Sequence, residues 1–338
     1  MKTPKIEKLP SGNYFCRLRL NGQSIPITAP SRAECLKIAE LTKSQYRAGA
    51  GTVKRLPKDV TLSEAVSTYI NRYKKTLSPS TVRGYNVYKR TRFVEYMDVP
   101  LGEIDFQEMI DDELRTGISP KTIRNAWGLI HAAIKDLGYP VPNVRLAPIP
   151  VPDVNFLQPS EIKPFCEAVK SRSYEIPALL MLQGLRMSEM RALTWNHINL
   201  KTDSITISGA NVKGEDGYVI KKTNKNATST RVIPIMIPQL RKALTAVKKK
   251  EGLVCTITPS VLLRDVKRAC ERAGVTVCSC HDLRRSFASL CYHLNISERQ
   301  MMSWGGWASP DVMNKVYIKL AAADQAVAKN TVESFFTT

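Results

Sequence analysis

Residues 281–290 read HDLRRSFASL. His281, Arg284 and Arg285 place three nitrogen-rich side chains in the opening turns of what reads as a helix, beside apolar residues. His281 and Arg284 are three residues apart and share a helix face. Arg285 points elsewhere on the helix. A solvated face is the plain reading of any one such cluster. The rest of the chain has to decide whether this one is aimed at an anion.

The bulk numbers favour an anion. The chain has 338 residues, enough for two or three domains, and is 43% hydrophobic and 24% charged, as a folded protein is. Its 50 Lys and Arg against 30 Asp and Glu give a net charge of +20. An excess of that size predicts a polyanion partner, with nucleic acid the first candidate because phosphate neutralisation drives such binding. A membrane surface is the rival, but there is no long apolar run and no apolar segment near the N-terminus. The expectation is a soluble, cytoplasmic protein with no membrane partner. Eight scattered cysteines suggest reduced thiols. Cys278-Ser279-Cys280-His281, with Cys270 upstream, lacks the paired C-x₂₋₄-C spacing of a zinc site. We therefore expect no metal and no cofactor.

Residues 13–20, NYFCRLRL, alternate like a half-buried strand. Asn21-Gly22 is a hairpin turn signal, and QSIPITA reads as the returning strand. Ser31-x-x-Glu34 is a capping box that opens a helix running to about Tyr46, and Ala48-Gly49-Ala50-Gly51 ends it. This unit, 1–52, is a small sheet plus helix with Arg17 and Arg19 on one strand face. Residues 57–140 carry only helical patterns. Thr61-x-x-Glu64 is a second capping box, and Leu62, Ala65, Val66, Tyr69 and Ile70 form one apolar stripe. SPSTVR at 78–83 is echoed by SPKTIR at 119–124. Each predicts Ser at the N-cap, Pro at N1 and basic residues in the first turns, where exposed N–H groups also suit phosphate. Arg17, Arg19, Thr81, Arg83, Lys121, Thr122 and Arg124 are candidate DNA contacts, and Arg285 reads as a backbone phosphate contact or a solvated charge. Five prolines in 139–155 suggest an extended linker, set at 141–155. Beyond it, 156–338 should be mainly helical, interrupted by strands near 204–236.

Three stretches of that last unit belong together. They are GLRMSEMRALTW at 184–195, HDLRRS at 281–286, and Gly305-Gly306-Trp307 followed ten residues later by Tyr317. In that order they resemble the boxes of the tyrosine recombinases, the phage-integrase family. The resemblance implies a multidomain, mainly α fold with small β-sheets: an N-terminal α+β arm-binding-like module, an all-α core-binding domain and a mixed α+β catalytic domain. It implies an integrase that cleaves and rejoins DNA through a 3′-phosphotyrosyl intermediate, to integrate or excise a mobile element. Tyr317 would be the nucleophile. Arg186 and Arg284 would clamp the scissile phosphate, because forked, permanently charged guanidiniums match its oxygens. His281 would donate to the phosphate or shuttle a proton. Trp307 would donate and pack, since an indole N–H does not exchange its proton at neutral pH. Glu189 would orient the site.

The family also places a general-acid lysine on a β-hairpin. In YVIKKTNKNATSTRVIPI, read as that hairpin, Lys221, Lys222 and Lys225 compete. Lys225, six residues before Arg231, is favoured, with Lys222 next and otherwise a DNA contact. The implied partners are double-stranded DNA attachment sites, three further copies in a homotetramer on DNA, and an excisionase or host DNA-bending protein. The alternatives are type IB topoisomerase-like relaxation and an inactive DNA-binding regulator.

Overall fold

The structure is a computed structural model that describes residues 5–20, 23–47, 55–150, 155–221, 230–248, 250–309, and 329, 330, 332–334 and 336 near the end. The chain divides into two compact units, 1–73 with 85–148, and 74–84 with 149–338.

In the first unit, strands β1 (Ile6–Lys8), β2 (Tyr14–Leu20) and β3 (Gln23–Ala29) form an antiparallel meander under helix α1 (Arg32–Arg47). Period-two alternation turns Cys16 and Leu18 inward against Ile27, Ala29, Cys35 and Ala39. The same alternation turns Arg17 and Arg19 out to solvent. The register closes with Leu20 opposite Gln23, and Asn21-Gly22 lies outside the described residues, as does the glycine break after Ala48. The Glu34 N–H donates to Ser31 Oγ at 3.2 Å, as its capping box predicts.

Helices α2 (Leu62–Tyr73), α3 (Pro79–Thr91), α4 (Phe106–Arg115) and α5 (Pro120–Asp136) follow. The Thr61–Glu64 box closes reciprocally, with the Thr61 N–H on Glu64 Oε2 at 2.9 Å and the Glu64 N–H on Thr61 Oγ1 at 3.2 Å. Leu62, Ala65, Val66 and Ile70 are buried, and α2 packs on α5. The 78/119 echo holds only in part. Both helices start at the proline, and Ser119 Oγ accepts from the Thr122 N–H at 3.3 Å. The Ser78 hydroxyl instead pairs with Ser80 at 3.1 Å. The proline-rich stretch is also more constrained than a free linker. Its Arg145 exchanges hydrogen bonds with the Gln107 amide (2.7 and 3.3 Å), and the Ala147 carbonyl accepts from Arg124 at 3.0 Å. Extended, proline-interrupted backbone leaves carbonyls that side chains must meet.

The second unit contains α6 (Pro159–Val169), α7 (Glu175–Leu182), α8 (Met187–Met190), strands β4 (Ile198–Asn199), β5 (Ser204–Ile207), β6 (Ala210–Lys213), β7 (Tyr218–Lys221) and β8 (Arg231–Pro234), then α9 (Pro238–Ala246), α10 (Pro259–Ala273), α11 (Cys280–His293) and α12 (Glu298–Gly305). Helix α6 starts at Pro159, one residue before Ser160, and holds Pro164 inside it. Helix α7, EIPALLML, is buried from Pro177 through Leu182 and packs against α11. The strands correct the expected hairpin. Strand β7 pairs with β6, and β8 pairs with β5 in a separate β4-β5-β8 sheet. The Gly214-to-Gly217 turn, with Gly217 at φ 135°, closes β6–β7 on itself. The stretch YVIK…RVIP therefore links two sheets.

Candidate active site

Helix α11 begins at a capping box that sequence inspection passed over. Ser279 Oγ accepts from the Asp282 N–H, and Asp282 Oδ2 accepts from the Ser279 N–H at 2.8 Å. The Ser286 hydroxyl donates to the Asp282 carbonyl and accepts from the Leu157 N–H, both at 2.9 Å, which locks the helix to the strand-like segment before α6. That frame sets the four side chains of the opening motif. Arg285 pairs with Asp282, so part of its charge is spent locally. His281 still meets solvent. Partial dehydration by the surrounding protein lowers its pKa, and Arg285 and Arg284 push the same way against Asp282. That shift favours the neutral imidazole, which can accept a proton as well as donate a hydrogen bond.

Arg284 lies on the inner side of the same turn, only 3% exposed. Its Nη1 donates to the Gly184 carbonyl. Its guanidinium stacks over the Trp307 ring, 4.3 Å from the centroid. Its Nη2 is buried with no partner among the described residues. Burial first, then the Arg186 charge, push its pKa down to about 9, with Glu189 opposing. Gly184 explains itself here. It sits at φ 97°, and an added Cβ would lie 2.7 Å from the Phe287 ring. The glycine of the first box therefore carries the arginine of the second.

Arg186 precedes the four-residue α8 and is about one-third exposed. Its Nη1 donates to Glu189 Oε1 and its Nη2 to the Gly306 carbonyl, both at 2.6 Å. Glu189, 3% exposed, also accepts from the Arg186 backbone N–H at 2.9 Å. Its other partner is Arg231, which opens β8 and was noticed in the sequence only as a landmark for the lysine. Arg231 Nη1 and Nη2 fork onto the two Glu189 oxygens at 3.1 and 3.0 Å, and its Nε donates to the Trp304 carbonyl at 2.7 Å. Burial pushes the Glu189 pKa up, but Arg231 and then Arg186 outweigh it and hold the carboxyl below its ordinary range. Gly306, at φ 64°, caps α12, and a Cβ there would lie 2.6 Å from Arg231. A side chain on Gly305 would collide with the Trp307 ring. The Gly-Gly pair is thus the space that Arg231 and Trp307 occupy. A signal for Arg231 existed: a buried carboxylate between two boxes needs more cation than one half-exposed arginine supplies.

The structure thus brings Arg186, Glu189, Arg284 and Trp307 together with His281 at the rim. Arg186, Arg231 and Arg284 outnumber Glu189, the carboxylate set among them, a balance suited to an anion. Tyr317, Lys222 and Lys225 lie outside the described residues, and Lys221 is the half-buried last residue of β7. Of the candidate DNA contacts, Arg17, Arg19, Lys121 and Arg124 are exposed and Thr81, Arg83 and Thr122 are half-buried. All eight cysteines are free thiols, with Cys270 and Cys278 Sγ 3.8 Å apart. Among the described residues no three His, Cys, Asp or Glu side chains gather as a metal site would require. No described helix is long and apolar enough to cross a membrane.

Comparison with known proteins agrees with this geometry. Residues 155–324 match the model of the phage integrase family. A XerC-like tyrosine recombinase of Caldanaerobacter subterraneus subsp. tengcongensis is 23% identical across 89% of this chain and 90% of its own. The fold is shared with the Tn1549 transposon integrase solved with transposon right-end DNA (TM-score 0.64, 17% identity, 80% of this chain and 98% of that one). It is shared too with the lambda integrase solved as a tetramer on a Holliday junction (TM-score 0.57, 17% identity, 90% and 95%). The chain belongs to the phage integrase family. It is a site-specific tyrosine recombinase, an enzyme that cleaves and rejoins DNA, and the topoisomerase and inactive-regulator readings are not favoured.

Proposed function

We propose that the protein is the integrase of a mobile element, with Tyr317 as nucleophile and the arginine site of the second unit as the phosphate clamp. The observation that carries this is the buried Arg284 Nη2 without a partner, in a site where arginines outnumber carboxylates. A scissile phosphate supplies the missing acceptor and the missing negative charge. Attack forms a Tyr317 Oη–P bond and breaks the P–O5′ bond, leaving a 3′-phosphotyrosyl end. A lysine of the 221–225 stretch, Lys225 by preference, gives its proton to the leaving O5′. His281, whose neutral form is favoured, is suited to take the proton that Tyr317 Oη loses and to return it in the reverse step. Trp307 supplies a face for Arg284. The phosphoester keeps the bond energy, so a second DNA end reverses the step with no added cofactor. Suicide substrates that trap the covalent end should yield one modified peptide, carrying Tyr317. Mapping by mass spectrometry to Tyr292 instead would move the nucleophile.

Two double-stranded attachment sites and four protomers would make the working complex, with an excisionase or a host DNA-bending protein setting direction. Exposed Arg17 and Arg19 on β2 would read arm sites, and Thr81, Arg83, Lys121, Thr122 and Arg124 would contact core-site phosphates. The Ala147 carbonyl already takes one Arg124 hydrogen bond, so that residue's DNA contact is made by its remaining donors. Deleting residues 1–52 should leave core-site cleavage and a four-protomer complex, measured by sizing on DNA, while binding to separate arm sites is lost. A full-length footprint on a single continuous core site would refute the arm-binding role.

A further inference from the structure

We infer that Arg191 is a positioning residue that sets the β6–β7 hairpin, and with it the acid lysine that follows β7, relative to the phosphate clamp. The inference rests on the hairpin-side lysine being the general acid. Three observations carry it. Arg191 is only 8% exposed, yet among the described residues no carboxylate pairs with it. Its guanidinium instead lies 3.7 Å from the ring centroid of Tyr218, the first residue of β7. Its carbonyl accepts from Asn211 Nδ2 at 3.3 Å.

The hairpin has two short strands. It is a two-stranded ladder of four residues a side, a size that is marginal alone. Asn211 is the one buried residue of its two strands, and Tyr218, Val219 and Ile220 are all exposed. The register puts Lys213 opposite Tyr218 and Asn211 opposite Ile220, so the stacked ring and the buried amide share one face. Both are fastened to the same residue. That residue is the C-cap of α8, the short helix whose N-cap is Arg186 and which contains Glu189. The two caps of one four-residue helix thus serve the clamp, through Arg186, and β7, through Arg191. A buried cation used as a flat stacking partner explains arginine here, because a lysine keeps the charge but loses the plane.

The test separates positioning of the acid from clamping. Replacing O5′ with sulfur gives a leaving group that departs as thiolate and needs no proton. On ordinary DNA, Arg191→Ala and Tyr218→Ala should each slow single-turnover cleavage by about 10²-fold, the usual scale of a lost general acid, with DNA affinity unchanged. On the 5′-thio substrate both should return to near the parent rate, as Lys225→Ala or Lys222→Ala should, while Arg186→Ala stays slow. Tyr218→Phe keeps the ring and should cleave normally, whereas Arg191→Lys should remain impaired. Tyr218 is 44% exposed, so its alanine variant keeps the test alive if Arg191→Ala fails to fold. Rescue of a lysine variant but of neither Arg191→Ala nor Tyr218→Ala overturns the positioning role. Rescue of no lysine variant overturns the acid assignment, and this inference with it.

Discussion

Arg284→Ala should cut strand cleavage by about 10³-fold or more, the scale of losing a preorganised donor or an arginine at a transferring phosphoryl group. DNA affinity should fall far less, because one phosphate contact among many is removed. The geometry sets this expectation. One end of the guanidinium is used by the Gly184 carbonyl, its face rests on Trp307, and its Nη2 is a donor still unpaired. Arg284→Lys should restore little, since an ammonium cannot reach the Gly184 carbonyl, lie flat on the indole and present a second donor at once. Stability should move the other way. A cation whose pKa is lowered by folding, here to about 9, costs the fold stability at every pH below that value. Removing it at pH 7 should therefore leave the melting temperature unchanged or raise it. Single-turnover cleavage and thermal melts on the same preparations check both halves. An alanine variant that melts early and binds DNA poorly would make Arg284 a strut rather than a clamp.

The site was legible where chemistry demands a residue type at a fixed local spacing. His281 and Arg284 had to share a turn, and Arg186 and Glu189 did too. The capping boxes at Ser31 and Thr61 were readable for the same reason, because each closes within four residues. What escaped depends on pairing across the chain. YVIK and RVIP do form strands, but a strand-forming stretch does not name its partner. The Gly214–Gly217 turn gave β7 to β6, and β8 went to β5. Arg231 escaped because its role needs β8, α8 and α12 to meet, over a separation of 42 residues to Glu189 and 73 to Trp304. Ser78 looked identical to Ser119, yet a neighbouring hydroxyl, Ser80, took its hydrogen bond where Lys121 offers none. The fold class survived these misses because it rests on helix periodicity and on the order of the boxes.

Arg231→Ala should be among the most destabilising single changes in the second unit, at about 3–5 kcal/mol, the usual cost of removing one partner from a buried ion pair. The substitution leaves Glu189 buried with only the half-exposed Arg186 to balance it. It also strips the Trp304 carbonyl of a donor and opens space beside Gly306. The pH dependence identifies the cause. In the parent protein the Glu189 pKa is depressed, so its contribution is present above the ordinary carboxylate pKa and is lost as pH falls through the lower, folded value. Without Arg231 the burial that pushes that pKa up is no longer outweighed by its largest opponent. The deficit should therefore be greatest near neutral pH and shrink toward pH 4, where Glu189 can accept a proton and enter the core uncharged. Denaturant melts of Arg231→Ala at the two pH values measure that difference. The Arg231→Ala, Glu189→Gln double variant should recover part of the loss at pH 7, because a neutral amide no longer needs the cation. A deficit that is the same at both pH values, with no recovery in the double variant, would mean that Arg231 stabilises the unit by packing on Gly306 and not by neutralising Glu189.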